Sequence, residues 1–264
     1  MKKISHGGNI YKKAKEMGIR EEDILDFSAN ISPLGLPEHI RKAMIEAIDG
    51  TINYPDPDCS RLKEAISKQD NVPESHITCG NGGADLLYRL AFGLHPKKVL
   101  LPAPAFVEYE EALSAAGAQM EYYLMRDDFV IKEDILEQIT EETDFVVICN
   151  PNNPTGILTE KELILRVLER AKETNTFVMA DECFLEICQN ESEYTVKPFI
   201  EKYENLIILK SFTKLYAIPG VRLGYILAGS EDVIAKVNRT GQAWSVSHIA
   251  QCAGVAALSD NVYK

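Results

Sequence analysis

Three apolar runs in this chain each lead into polar residues whose side chains could do chemistry together. Phe145-Val146-Val147-Ile148-Cys149 runs into Asn150-Pro151-Asn152-Asn153-Pro154-Thr155-Gly156; Phe177-Val178-Met179-Ala180 ends in Asp181; Leu206-Ile207-Ile208-Leu209 leads to Lys210-Ser211-Phe212-Thr213-Lys214. If the runs are strands of one open α/β sheet, an amide, a carboxylate, hydroxyls and an amine share a rim at the carboxyl ends, where such sheets bind ligands. An acid ending a strand is by itself more often a cap or an ion-pair partner, so Asp181 gains weight only from the company it keeps. A further segment, Gly80-Asn81-Gly82-Gly83-Ala84-Asp85-Leu86-Leu87, places small residues where a helix begins. Backbone N–H groups and the helix dipole would attract an anion there, which makes it a candidate phosphate cradle. A plain glycine turn explains the segment equally well. It fits neither G-x-x-x-x-G-K-[ST] nor G-x-G-x-x-G in full, so no nucleotide is specifically indicated.

The elements that must position these residues follow from the pattern around them. From about residue 75 onward, short apolar runs alternate with amphipathic segments. That pattern predicts a three-layer α/β fold, a mostly parallel sheet with helices on both faces. Strands are expected at Lys98 to Leu101, Phe145 to Cys149, Phe177 to Asp181, Leu206 to Lys210 and Leu223 to Ala228. Between the second and third, Thr159 with Glu162 reads as a capping box, and Leu163, Ile164, Val167, Leu168 and Ala171 form one apolar helical stripe. The first 60 residues are richer in Pro, Asn and Asp; residues 1–40 read as an arm or part of a small lobe, and 41–264 as the large domain.

Composition narrows the class. An apolar fraction of 45% beside 26% charged residues is that of a globular protein, and no apolar run approaches the roughly 18 residues of a membrane span. Lys2 and Lys3 have no apolar stretch behind them, so no signal peptide is read and a cytoplasmic location is expected. A net charge of −12 opposes binding to nucleic acid. The six cysteines are scattered without C-x-x-C spacing, which favours reduced thiols over a metal site.

In order and spacing, Asn153-Pro154-x-Gly156, Asp181-Glu182-x-Phe184 and Ser211-x-Thr213-Lys214, with Arg222 eight residues later, resemble the pyridoxal-5′-phosphate-dependent class I/II aminotransferase family of fold type I. Within it, His6-Gly7-Gly8-Asn9-Ile10, Asp26-Phe27-Ser28-Ala29-Asn30-Ile31, Pro33-Leu34-Gly35 and the run from Tyr216 to Tyr225 are similar to the threonine-phosphate decarboxylase branch of cobalamin biosynthesis. Histidinol-phosphate aminotransferases are that branch's near relatives.

The resemblance implies a role for each matching residue. Lys214 carries the cofactor as a Schiff base and later moves a proton; Asp181 pairs with the protonated ring nitrogen; Asn153 hydrogen-bonds the ring's 3′ oxygen; Phe106 stacks on the ring. Gly83, Ala84, Ser211, Thr213 and Arg222 hold the phosphate, and Tyr54 reaches it from the other subunit of a homodimer. His6 and Asn30 are left to meet a small amino-phosphate substrate. Where aminotransferases of the family commonly have a tyrosine, this chain has Phe184, which leans toward the decarboxylase branch without selecting the reaction. The resemblance also implies a C-terminal small domain, with substrate-binding arginines, beyond Lys264. The apolar stretch from His248 to Leu258 is then expected to pack against it. A transaminase acting on histidinol phosphate, and a chain that binds cofactor without turnover, are the alternatives.

Overall fold

The apolar runs do become strands, and the parity of their residues decides what faces what. A computed structural model describes residues 7–259 of the chain. Seven strands form one sheet: β1 (Ile77–Gly80), β2 (Lys98–Ala103), β3 (Gln119–Leu124), β4 (Phe145–Cys149), β5 (Phe177–Asp181), β6 (Leu206–Ser211) and β7 (Gly224–Ala228). Their order is β1-β7-β6-β5-β4-β2-β3, and β7 alone runs antiparallel to its neighbours. The five expected strands are all present. β1 and β3 went unread, β1 because it has four residues and β3 because it is an edge strand with Gln119, Tyr122 and Leu124 exposed.

The helices are α1 (Ile10–Met17), α2 (Glu38–Glu46), α3 (Ser60–Asp70), α4 (Gly83–Leu94), α5 (Val107–Ala115), α6 (Ile135–Gln138), α7 (Lys161–Glu173), α8 (Glu191–Tyr194), α9 (Glu231–Arg239) and α10 (His248–Leu258). They divide into two layers with separate cores. Side chains of α3, α7 and α10 pack with Val146, Ile148, Val178, Ala180, Leu206 and Ile208 on one face. Those of α4, α5 and α9 pack with Phe145, Val147, Met179, Ile207 and Leu209 on the other. Successive strand residues point to opposite faces, so each central strand is apolar on both, as a covered parallel sheet requires.

One local expectation needs correction. Thr159 does not cap α7: the N-cap is Glu160, without a side-chain cap bond, while the Thr159 N–H and C=O are both taken by the Asn150 side chain at 2.8 and 3.1 Å. The apolar stripe of that helix is nonetheless buried throughout. The stretch from His248 to Leu258 is a helix, and one face of it packs inside this chain, while Ile249, Cys252, Val255, Ala256 and Leu258 stay partly exposed. Ala250, Ala253 and Ala257 are buried, α10 packs on α2 and α3, and a Cβ on Gly254 would come within 2.7 Å of Leu62 and Leu223 side chains.

Candidate active site

Strand register brings the polar ends together. Cys149 pairs with Asp181 across β4 and β5, Asp181 with Leu209 across β5 and β6, and Ser211 with Gly224 across β6 and β7. Parity then turns Cys149, Asp181, Leu209 and Ser211 toward the layer of α4, α5 and α9, where they line one cavity with Phe106, Asn153, Thr213, Lys214 and Arg222. Gly83 and Ala84, the first two residues of α4, close its end. A wider hollow of about 700 Å³, lined by Lys172, Lys202 and Asp232 among others, lies at the amino ends of the strands and holds no such set.

The glycine segment opens α4 as the sequence suggested. Gly82 is its N-cap at φ +85°, and a Cβ there would lie 2.5 Å from Arg222 Nη2, so the guanidinium sits directly over the turn. Gly224 on β7 also allows a close approach, since its Cβ would stand 3.1 Å from the Gly83 amide nitrogen. Ser211 Oγ and Thr213 Oγ1 are 2.8 Å apart, and Thr213 N–H donates to Ser211 Oγ at 3.2 Å. Amide N–H groups, two hydroxyls and a guanidinium thus converge at a helix N-terminus, a site for a dianion.

At the floor, Asp181 is 6% exposed; its Oδ1 accepts the Cys183 N–H at 2.9 Å and its Oδ2 accepts the Tyr109 hydroxyl at 2.6 Å. Lys214 is half-buried with Nζ 5.4 Å from the centre of the Phe184 ring. Burial depresses its pKa, the Arg222 charge adds to that, and Asp181 pulls the other way. Of the three asparagines after β4, Asn150 holds Thr159, and Asn152 donates to Pro104 O at 3.1 Å and Thr155 Oγ1 at 2.9 Å. Asn153 is the one that faces the cavity.

The remaining expected residues lie elsewhere. Asn30 lines a neighbouring hollow with Ser32, Asn153 and Phe184, and the Ser32 N–H donates to the Lys214 carbonyl at 3.0 Å, which pins this segment against the lysine. Tyr54 is 78% exposed, outside the cavity, and stacks on Trp244 with ring centroids 4.4 Å apart. His6 falls outside the described residues. Sequence reasoning missed Tyr109, Cys149 and Cys183, all of which line the cavity. Tyr109 had a signal, its place one helical turn after Phe106.

A dianion cradle, a buried carboxylate, an amine of lowered basicity and an aromatic face fit the phosphate, ring nitrogen, aldehyde and ring of pyridoxal phosphate. Comparison with known proteins agrees. The threonine-phosphate decarboxylase of Salmonella typhimurium is 36% identical over 262 residues, 98% of this chain and 71% of that protein. Histidinol-phosphate aminotransferase 2 of Ralstonia nicotianae is 34% identical over 259 residues, covering 97% of this chain and 69% of that one. The crystal structure of the histidinol-phosphate aminotransferase from Clostridium acetobutylicum superposes with a TM-score of 0.85 at 30% identity, over 91% of this chain and 71% of that one. The family model for aminotransferase class I and II matches residues 22–263, and with the site assembled above it places this chain in that pyridoxal-phosphate-dependent family.

Proposed function

We propose that this chain decarboxylates L-threonine O-3-phosphate, giving (R)-1-aminopropan-2-yl phosphate and carbon dioxide. In this reading the N–H groups of Gly83 and Ala84, the hydroxyls of Ser211 and Thr213 and the Arg222 guanidinium hold the cofactor phosphate. Asp181 meets the ring nitrogen, Asn153 the 3′ oxygen, and Phe106 stacks on the ring. Bound there, the cofactor supplies an electron sink for the pair left when a bond at the substrate's Cα breaks. Lys214 has two tasks. Its amine, made less basic by burial, attaches the cofactor, and a proton it carries goes to Cα in place of the departing carboxylate. The bond that breaks is the one held perpendicular to the ring, so residues gripping the substrate choose the reaction.

The observation that carries the decarboxylase reading is the 36% identity to a threonine-phosphate decarboxylase, and Phe184 leans the same way. The Phe184 ring lies beside Lys214 Nζ in the cofactor cavity, where a tyrosine would add a hydrogen-bond donor, and it also borders the hollow lined by Asn30. Transamination of histidinol phosphate is the second reading, favoured by the likeness to the Clostridium acetobutylicum structure. Both use the same cofactor residues and a homodimer in which Tyr54 serves the partner's site.

The test is an absorbance titration of the purified protein with pyridoxal phosphate beside a Lys214→Ala variant, followed by threonine phosphate and capture of carbon dioxide. A visible band that needs Lys214, with release of carbon dioxide, is the expected result. A band with keto-acid formation instead moves the reading to transamination. Absence of any band in the unmodified protein sinks both.

A further inference from the structure

The first turn of α5 meets the cavity twice. Phe106 is its N-cap residue and Tyr109 follows one turn later, so both project from the same side. Their rings meet edge to face, centroids 5.6 Å apart and planes at 85°. Tyr109 is 1% exposed, and its hydroxyl donates to Asp181 Oδ2 at 2.6 Å. The other oxygen, Oδ1, accepts the Cys183 N–H at 2.9 Å. A carboxylate oxygen has two lone pairs, so each keeps one for a further donor in the cavity. The terminal torsion of an aspartate is soft and broadly distributed, and these two bonds, one on each oxygen, are what set its plane. Burial, and after it the Asp181 charge, keeps the phenol's pKa well above its ordinary value, so the hydroxyl remains a donor at any working pH.

We infer that Tyr109 is a positioning residue for the cofactor ring: it fixes the Asp181 carboxylate in the plane that meets the ring nitrogen and ties that contact to the stacking face of Phe106. This rests on the reading of Asp181 as the partner of the ring nitrogen. Tyr109 does not touch the reacting atoms; it acts through Asp181.

The test titrates pyridoxal phosphate, and its 1-deaza analogue with C–H in place of the ring nitrogen, into the unmodified protein and a Tyr109→Phe variant. Binding is followed by the visible band and by the fluorescence of Trp244, the one tryptophan of the chain. The unmodified protein is expected to prefer pyridoxal phosphate by about tenfold or more, the size of a hydrogen bond to a charged group. Tyr109→Phe should narrow that preference by about three- to tenfold while holding the analogue's affinity within about twofold. In an Asp181→Ala background, removing the hydroxyl should then change little, because its route is gone. Equal weakening of both ligands, or an unchanged preference, overturns the inference. If the unmodified protein itself fails to discriminate, the assignment of Asp181 falls first and the inference with it. Should Tyr109→Phe misfold, 3-fluorotyrosine placed at 109 keeps the shape and strengthens the donor; a shift in the same preference supports the inference, and none refutes it.

Discussion

Lys214 has to lose its proton before it can act as a nucleophile, and its surroundings favour that loss before any ligand arrives. Burial disfavours the ammonium form and the Arg222 charge adds to it, so the folded-state pKa lies below the ordinary value. Between that depressed value and about 10.4, the unfolded chain binds more protons than the folded one, and stability of the cofactor-free protein rises with pH across the window. Below the window the full penalty remains. Lys214→Met removes it, so the cofactor-free variant should be more stable than its parent at pH 7, with the advantage shrinking as pH approaches about 10. The slope is bounded by about 1.4 kcal/mol per pH unit for one proton, and is smaller here because the amine is partly solvated. Urea midpoints of the pair at several pH values measure it, and a difference that does not vary with pH would mean the lysine titrates normally. Gly82 makes a second prediction at this scale. At φ +85° and 2.5 Å from the guanidinium, an alanine Cβ both strains the turn and displaces Arg222. Loss of one charge-assisted hydrogen bond to the phosphate corresponds to about tenfold or more in affinity. Gly82→Ala should therefore weaken pyridoxal phosphate binding by at least that factor; retention of full affinity would show that Arg222 is not part of the cradle.

At the scale of elements, β6 does two things because neighbouring residues on a strand face opposite ways. Ser211 enters the cofactor cavity, while Lys210, 1% exposed, points into the other layer and meets Glu186 at 3.2 Å and Glu191 at 3.5 Å. Burial lowers the Lys210 pKa, but Glu186, then Glu182 and their neighbours, more than offset it and hold the amine cationic. Glu182 in turn accepts from Thr195 Oγ1 at 2.8 Å and the Val196 N–H at 2.9 Å, so the segment that follows Asp181 is tied down through charges on the far face. Removing the lysine leaves the partly buried Glu186 and Glu191 uncompensated beside the buried Glu182; Lys210→Met should lower the unfolding free energy by about 2–4 kcal/mol. A urea denaturation that loses less than about 1 kcal/mol would show that the carboxylates simply neutralise. The same strands mark how far the sequence could be read. Residues 145–149 and 177–180 are continuous apolar runs, the second closed by Asp181, so both strands end where expected. β3, Gln119–Leu124, is an exposed edge whose residues follow neither a continuous apolar run nor a clean alternation. Thr159 and Glu162 have the types of a capping box, yet Asn150 takes the Thr159 backbone first, a tertiary contact no local pattern reveals. Asn153, Asp181, Ser211, Thr213 and Lys214 were legible as polar residues following apolar runs, whereas Phe106, Arg222 and every role came from the family resemblance. The place of Tyr109 one turn after Phe106 hints at the cavity, but its bond to Asp181 spans 72 positions of chain and could not be read locally.

For the whole molecule, the issue is what covers residues 25–54. Leu25, Phe27, Ile52 and Tyr54 are 81, 85, 86 and 78% exposed, and Ile45 and Ile48 are also exposed. Large apolar side chains concentrated in one stretch mark an association surface. Tyr54 is the informative member, because it stands outside its own chain's cavity and Trp244 braces it there. If two copies pair as proposed, each cavity receives Tyr54 from its partner, and that arrangement has a signature no single-chain site can imitate. A Lys214→Ala chain forms no visible band with pyridoxal phosphate, and a Tyr54→Phe chain forms one at weakened affinity. In a dimer with one copy of each, one cavity carries both defects and the other carries neither. Mixed and re-equilibrated, the two variants should therefore regain a fraction of sites that titrate with the affinity of the unmodified protein. If the mixture titrates as the sum of its parents, either Tyr54 serves its own chain or the copies do not exchange. An exchange control with differently tagged chains separates these, and in the exchanging case the shared-site reading is lost.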